Sequence, residues 1–182
     1  MPKVTFRSIE ERDLETIRQW RNSPNIARNM FSSGVITEEQ QRGWYESVCR
    51  GERGYCWFVE SAGQPVGYAS LSRAERSEDT YEFGLYVGNQ EFANGGGCGS
   101  AILYNILQEA FRNLNAHKVI CEVLAFNTPA IRLYEKFGMR QQGYFKDYLK
   151  RDNERIDCVS YAIFEQEWQQ VRNDLYECIC KR

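Results

Sequence analysis

Histidine is nearly missing from this chain: His117 is the only one in 182 residues. A zinc site, which normally wants histidine beside its cysteines, therefore has little to draw on. The seven cysteines do not supply one either. They are odd in number, scattered and free of any C-x-x-C pair, so they read as reduced thiols acting as small buried hydrophobes. A Ser-His-Asp hydrolase would have to use His117, and no G-x-S-x-G is present; at the start of a strand pattern, His117 takes a surface or structural role. The charge balance of −2 includes no long basic run, so the electrostatic footprint of a nucleic-acid binder is missing. No stretch approaches the roughly 18 apolar residues of a membrane span, and Met1 to Arg7 lacks the apolar core of a signal peptide. The expectation is a cytoplasmic protein with no membrane or nucleic-acid partner and no metal. Repeats, low-complexity tracts and linkers are also lacking, so residues 1–182 read as a single domain.

Aromatic residues are plentiful at 14%. Lys3 to Ser8 alternates at strand period. Leu14, Ile17 and Trp20 recur at helical spacing, and Pro24 ends that helix near Asn22. A short helix is expected over Asn25–Phe31. Thr37 and Gln40 form a capping box for a helix to about Arg50, with Trp44, Tyr45 and Val48 on one face. Tyr55 to Glu60, Val66 to Ser72 and Thr80 to Val87 read as an antiparallel meander, with a turn at Ala62–Pro65. After Asn94–Gly99 a helix presents Ala101, Ile102, Ile106, Leu107, Ala110, Phe111 and Leu114 to one side. His117 to Leu124 is a strand. Thr128-Pro129 opens a further helix, with threonine as its cap, that ends at Gly138. Tyr144 to Leu149 and Asp157 to Phe164 are strands around a polar turn, and a last helix runs from Glu165 to about Cys178. The expected class is α/β: a mixed, mostly antiparallel sheet of about seven strands with helices on both faces.

Asn94-Gly95-Gly96-Gly97-Cys98-Gly99-Ser100 follows a strand and opens a helix. Glycine lets backbone approach a ligand closely, and a helix N-terminus offers unpaired N–H groups and a positive dipole end, which suits phosphate. A plain flexible turn accounts for a glycine run equally well. Walker A chemistry is excluded, because Ser100 and Ala101 stand where Gly-Lys-Ser/Thr would continue. A dinucleotide fingerprint fits poorly, since four strands precede the loop and the one before it looks antiparallel.

The loop reads N-x-x-G-x-G and resembles the Q/R-x-x-G-x-G/A signature of the GCN5-related N-acetyltransferases. Asn127-Thr128-Pro129-Ala130-Ile131-Arg132-Leu133-Tyr134-Glu135-Lys136-Phe137-Gly138-Met139 resembles that family's N-x-x-A-x-x-x-Y-x-x-x-G-F. Asn94 stands in place of Gln or Arg, and Met139 in place of Phe. The resemblance implies acetyl-CoA as co-substrate. Tyr86, Val87 and Gly88 would offer backbone groups to the pantetheine arm. Asn94, Gly95, Gly96, Gly97, Cys98, Gly99 and Ser100 would cradle the pyrophosphate. Asn127 would bond the pantetheine or position the next helix, which adds Ala130 and Lys136 to the cofactor contacts and puts Tyr134 beside the sulfur. It also implies direct attack of a neutral amine on the thioester. Tyr134, protonated at neutral pH, would serve the departing thiolate. Backbone N–H groups near Tyr86 would serve the oxyanion if the strand bulges there. Glu122 is the preferred base and Glu82 the second candidate, both carboxylates among apolar neighbours; either could equally lie on a polar strand face. Cys98 reads as packing.

Phe6-Arg7, Asp13-Leu14, Ile17, Trp20-Arg21-Asn22, Ile26 and Met30, with Tyr144 to Asp147 and Asp157 to Trp168, resemble a narrower branch, the sugar-nucleotide N-acetyltransferases of pseudaminic acid biosynthesis. That implies a UDP-amino sugar, UDP-4-amino-4,6-dideoxy-N-acetyl-β-L-altrosamine, acetylated on its 4-amino group. Met30, Phe31, Trp44 and Tyr86 would contact the base, Arg21 a phosphate, and Glu82 the acceptor side. A core between early helices explains those apolar residues as well. Acetylation of a protein N-terminus and a non-catalytic acyl-CoA-binding module stand as alternatives, and the sequence leaves a homodimer open.

Overall fold

The computed structural model describes residues 3–32, 34–93 and 97–180. The strands are β1 (Val4–Ser8), β2 (Tyr55–Ser61), β3 (Gln64–Arg73), β4 (Thr80–Val87), β5 (Lys118–Leu124), β6 (Arg140–Arg151) and β7 (Glu154–Phe164). The helices are α1 (Leu14–Asn22), α2 (Pro24–Ala27), α3 (Glu38–Cys49), α4 (Gln90–Ala93), α5 (Cys98–Gln108), α6 (Thr128–Lys136) and α7 (Glu165–Cys180). A π turn, Glu109–Asn113, extends α5.

All seven strands form one sheet in the order β1-β2-β3-β4-β5-β7-β6. Every pairing is antiparallel except β4 with β5. Alternation explains the two layers: successive side chains point to opposite faces. Val59, Leu71, Phe83, Val119, Cys121 and Ile163 face one side and are covered by α5, α6 and α7. Cys56, Phe58 and Tyr68 face the other, under α1 and α3, where Ile17, Trp20 and Trp44 pack. The π turn and α7 close the first core, with Trp168 wholly buried and stacked on Phe111 at 6.3 Å.

The expected capping box is present: Gln40 N donates to Thr37 Oγ1 at 3.2 Å and Thr37 N to Gln40 Oε1 at 2.9 Å. Three local expectations need correction. The second helix is shorter and starts earlier than Asn25–Phe31, because Pro24 opens it at a position where a missing N–H costs nothing. The turn is only Ala62-Gly63, both with positive φ, and Gln64 and Pro65 already belong to β3. A register shift at Val59/Glu60 lies opposite Pro65 and accommodates its lost ladder bond. The last two strands are longer than Tyr144–Leu149 and Asp157–Phe164, and pair around Asp152-Asn153.

Arg7 ties β1 to the chain entering α1. Its guanidinium donates to both Asp13 carboxylate oxygens at 2.6 and 2.8 Å and to Glu60 at 2.9 Å, and it lies 4.5 Å from the Phe58 ring centre. Asp13 is buried, which by itself pushes its carboxyl up. The Arg7 bonds and the Glu10 backbone N–H outweigh that and hold it below the usual carboxylate range.

Candidate active site

The sheet forks between β4 and β5. Their parallel ladder holds only at Thr80↔Lys118, Tyr81↔Val119 and Glu82↔Ile120, although β4 continues to Val87 and β5 to Leu124. Parity then decides which backbone groups face the gap. The β3–β4 ladder runs without a shift and is bracketed by Ala74 N→Thr80 O (2.9 Å) and Gly88 N→Val66 O (2.9 Å). In an antiparallel ladder, alternate residues bond to the same neighbour. Even-numbered residues of β4 therefore spend their backbone groups on β3, and odd-numbered ones turn theirs toward β5. Beyond the last parallel pair, the N–H and C=O groups of Leu85 and Val87 have no partner strand among the described residues. On β5, Ala125 N→Asp157 O and Glu165 N→His117 O bracket the β7 ladder in the same way, so the backbone of Glu122 faces the gap.

This corrects the assignment of Tyr86, Val87 and Gly88. Val87 does present its backbone to the fork. Tyr86 turns its backbone to β3, and the N–H of Gly88 is taken by Val66. Gly88 serves another purpose, because a Cβ there would lie 2.1 Å from the Trp20 indole. The expected bulge in β4 against β3 is also not present.

Past β4 the chain returns at Gly97, whose φ of 70° is left-handed and natural for glycine. Asn94, Gly95 and Gly96 lie outside the described residues. Gly97 caps α5, and Cys98, Gly99 and Ser100 form its first turn, where backbone N–H groups have no helical acceptor. A Cβ on Gly99 would touch Leu133 at 3.7 Å and Val87 at 4.0 Å, so this turn abuts both the end of β4 and α6. Cys98 is 1% exposed, packed in the core, and burial pushes its thiol up. The open end of β4 and the α5 N-terminus are thus neighbours, and each carries backbone donors without a partner among the described residues. That fits the amide-bearing arm and the pyrophosphate of coenzyme A.

Tyr134 stands at the apex of the fork. Its ring meets Phe83 of β4 edge-on at 5.5 Å and Tyr161 of β7 at 6.0 Å, and its hydroxyl lies beside the Cys121 thiol of β5. Phe83 and Cys121 are the first residues past the last parallel pair. Burial pushes the Tyr134 phenol and the Cys121 thiol up, so both are neutral donors at working pH. Asn127, not Thr128, caps α6: its Oδ1 accepts from Ala130 N at 3.4 Å. Asn127 and Ala130 therefore aim the helix that carries Tyr134. Lys136 is exposed at the helix end.

On the opposite face lies a cavity of about 500 Å³. Arg21, Trp44, Tyr68 and Tyr86 line it, with Ile17, Gln41 and Arg53. Arg21 donates to Ser32 Oγ at 2.8 Å and Arg53 to Ser47 Oγ at 2.9 Å, and among the described residues neither pairs with a carboxylate. Desolvation lowers the pKa of Arg21. Met30 and Phe31 do not line this cavity. The Met30 carbonyl accepts from Arg151, and Phe31 packs edge-on to Tyr148 at 6.1 Å. The 28–31 segment is held by the β6–β7 hairpin instead.

Glu82 and Glu122 share the cavity's face of the sheet at the fork. Glu122 accepts from Tyr148 Oη at 2.9 Å, a partner that sequence pattern did not reveal. Glu82 is open to solvent along the fork and has no ion pair among the described residues. Surrounding walls first, and then the like charge of Glu122, raise its pKa. No metal-binding group of three His, Cys, Asp or Glu residues occurs among the described residues, and none of their helices is long and apolar enough to cross a membrane.

Comparison with known proteins agrees with this geometry. The acetyltransferase (GNAT) domain profile matches residues 3–140. An uncharacterised N-acetyltransferase of Bacillus subtilis, YnaD, is 28% identical, over 91% of this chain and 96% of its own. The acetyltransferase PseH of Campylobacter jejuni is 24% identical, over 84% and 93%. The crystal structure of spermidine N-acetyltransferase from Vibrio cholerae with CoA and spermine superposes with a TM-score of 0.83 at 22% identity, covering 92% of this chain and 98% of that one. Fork, helix N-terminus and profile together place this chain in the GNAT family, as an acetyl-CoA-dependent N-acetyltransferase.

Proposed function

We propose that this enzyme acetylates the 4-amino group of a UDP-linked 4-amino-4,6-dideoxy sugar, as needed for pseudaminic acid. One observation carries the choice of acceptor: a cavity with two guanidiniums and three aromatic rings has no Asp or Glu among its lining residues. A nucleotide sugar brings an aromatic base and a diphosphate, which stack on rings and pair with arginine. The volume falls within the usual ligand range of roughly 300–1,000 Å³. A polyamine or a peptide ammonium would instead want carboxylates in that lining.

Acetyl-CoA supplies the activated acetyl thioester. The protein's own tasks divide across the sheet. Leu85, Val87 and the first turn of α5 hold the carrier by backbone groups. Arg21 and Arg53 draw the acceptor's anionic part into the cavity, which leaves its amine toward the fork. Carboxylates on that side take a proton from the ammonium. Tyr134, from the other side, donates to the leaving sulfur.

An acceptor panel tests this. UDP-4-amino-4,6-dideoxy-N-acetylaltrosamine, spermidine, an L-amino acid and a ribosomal-protein N-terminal peptide are each offered with acetyl-CoA while free thiol is followed. The nucleotide sugar should give the highest kcat/KM. Preference for spermidine or the peptide would overturn the proposed acceptor. Acetyl-CoA binding with no turnover of any amine would point to a binding module.

A further inference from the structure

One residue of α3 breaks the pattern of its own helix. Gln41, Trp44, Tyr45 and Val48 recur at the spacing of one helical face. The last three pack in one cluster with Leu14, Ile17 and Trp20 of α1. Gln41 holds the first of these positions, 4% exposed, where an apolar side chain would be expected. Its Nε2 is shut off from solvent and has no hydrogen-bond partner among the described residues. A buried donor without an acceptor costs stability. Such departures from the local rule are found at functional sites.

The same side chain borders the acceptor cavity. On its outer side Glu11, Glu15 and Glu38 line a smaller groove, and none of them accepts from it. A row of rings leads toward it from β4: Tyr86 stacks on Tyr68 of β3 at 5.3 Å, and Tyr68 meets Trp44 of α3 at 6.0 Å. Gln41 is one turn from Trp44 on the same face, at the end of that row away from the fork. Arg21, which interacts with Tyr86 and Tyr68, belongs to the near end. A nucleotide sugar has the same order of parts: amine-bearing sugar, diphosphate, base. With its sugar at the fork and its diphosphate at Arg21, its base falls at Trp44 and Gln41. Guanidiniums already serve the charge; what Gln41 adds is a neutral N–H donor, the complement of a ring carbonyl. The terminal torsion of glutamine is broad and two-fold, so the amide turns toward the cavity while its other torsions stay in place. We propose that Gln41 determines specificity for the base: its side-chain amide donates to a carbonyl of a pyrimidine ring laid against Trp44 and Tyr68. This rests on the nucleotide-sugar reading and adds to it the residue that reads the base.

The test is calorimetric titration of UDP, and separately of pyrophosphate, into the full chain with coenzyme A saturating, so that the carrier's own diphosphate site is filled. The variant is Gln41→Met, which keeps an unbranched side chain of similar length and removes the amide. UDP should bind the variant about 5–10-fold more weakly, the loss of one buried hydrogen bond. Pyrophosphate, which brings the charge without the base, should bind both proteins equally. The melting temperature should be unchanged or higher, because an amide without a partner in the free protein is removed at no cost. A structural glutamine would not give weaker binding together with undiminished stability. A variant that melts lower, or one that binds UDP as the wild type does, would overturn the inference and leave the nucleotide reading standing. So would an equal loss of pyrophosphate affinity, which puts the amide on phosphate. A wild type that binds no UDP would overturn the nucleotide reading and this inference together.

Discussion

Replacing Tyr134 by phenylalanine removes one oxygen and leaves the ring. The edge-on contact with Phe83 at 5.5 Å and the contact with Tyr161 at 6.0 Å survive. What is lost structurally is the polar contact of the hydroxyl with the Cys121 thiol, worth about 1 kcal/mol or less. What is lost chemically is the donor to the departing sulfur. General acid assistance contributes roughly 10²–10⁴ in rate, and a factor of 10² corresponds to about 2.7 kcal/mol of barrier. The catalytic loss should therefore exceed the loss of stability several-fold. Thiol release under saturating substrates should show kcat down at least about 100-fold, with KM for acetyl-CoA changed less than about threefold. Because burial raises the phenol pKa, the wild type should show no basic limb from Tyr134 across the assay range. Turnover within threefold of wild type would remove Tyr134 from the acid role.

Two further outcomes concern the frame around the site. Gly88→Ala puts a Cβ 2.1 Å from the Trp20 ring, an overpacking that costs about 1–3 kcal/mol; urea denaturation should show it, and unchanged stability would mean that Trp20 yields freely. The Asp13 carboxyl has its native pKa held below the unfolded value of about 3.9, so the stability it adds is complete above that pH and disappears as pH falls through the native value. Asp13→Asn, which leaves Glu60 as the one carboxylate on Arg7, should cost about 1–3 kcal/mol at pH 7, and the variant should lose less than the wild type on acidification; parallel acid profiles would contradict the pairing.

Much of this fold could be read from alternation. Thr80–Val87 matches β4 residue for residue, and the Thr37 capping box and the helix carrying Tyr134 stand where their local signals put them. What pattern could not supply was parity. Whether Tyr86 or Val87 turns its backbone toward the fork depends on which β4 residues bond to β3, and that is fixed by register across the sheet. The same reason hid Tyr148: a three-residue bulge re-aims it, and bulges leave no period of two behind. Met30 and Phe31 were apolar residues on an irregular segment, where spacing says nothing about direction; the partner that decides their place, Arg151, is 121 residues from Met30 in the chain. Asn127 and Thr128 are both good caps, and the hydrogen bond to Ala130 selects the first.

Backbone amide exchange with and without coenzyme A tests the central claim most directly, that the fork between β4 and β5 holds the carrier. Protection should rise at Leu85, Val87 and the first turn of α5, while Tyr86 and Gly88, already bonded to β3 and Val66, stay as they were. Binding that leaves Leu85 and Val87 unprotected, or that protects only amides elsewhere, would contradict it.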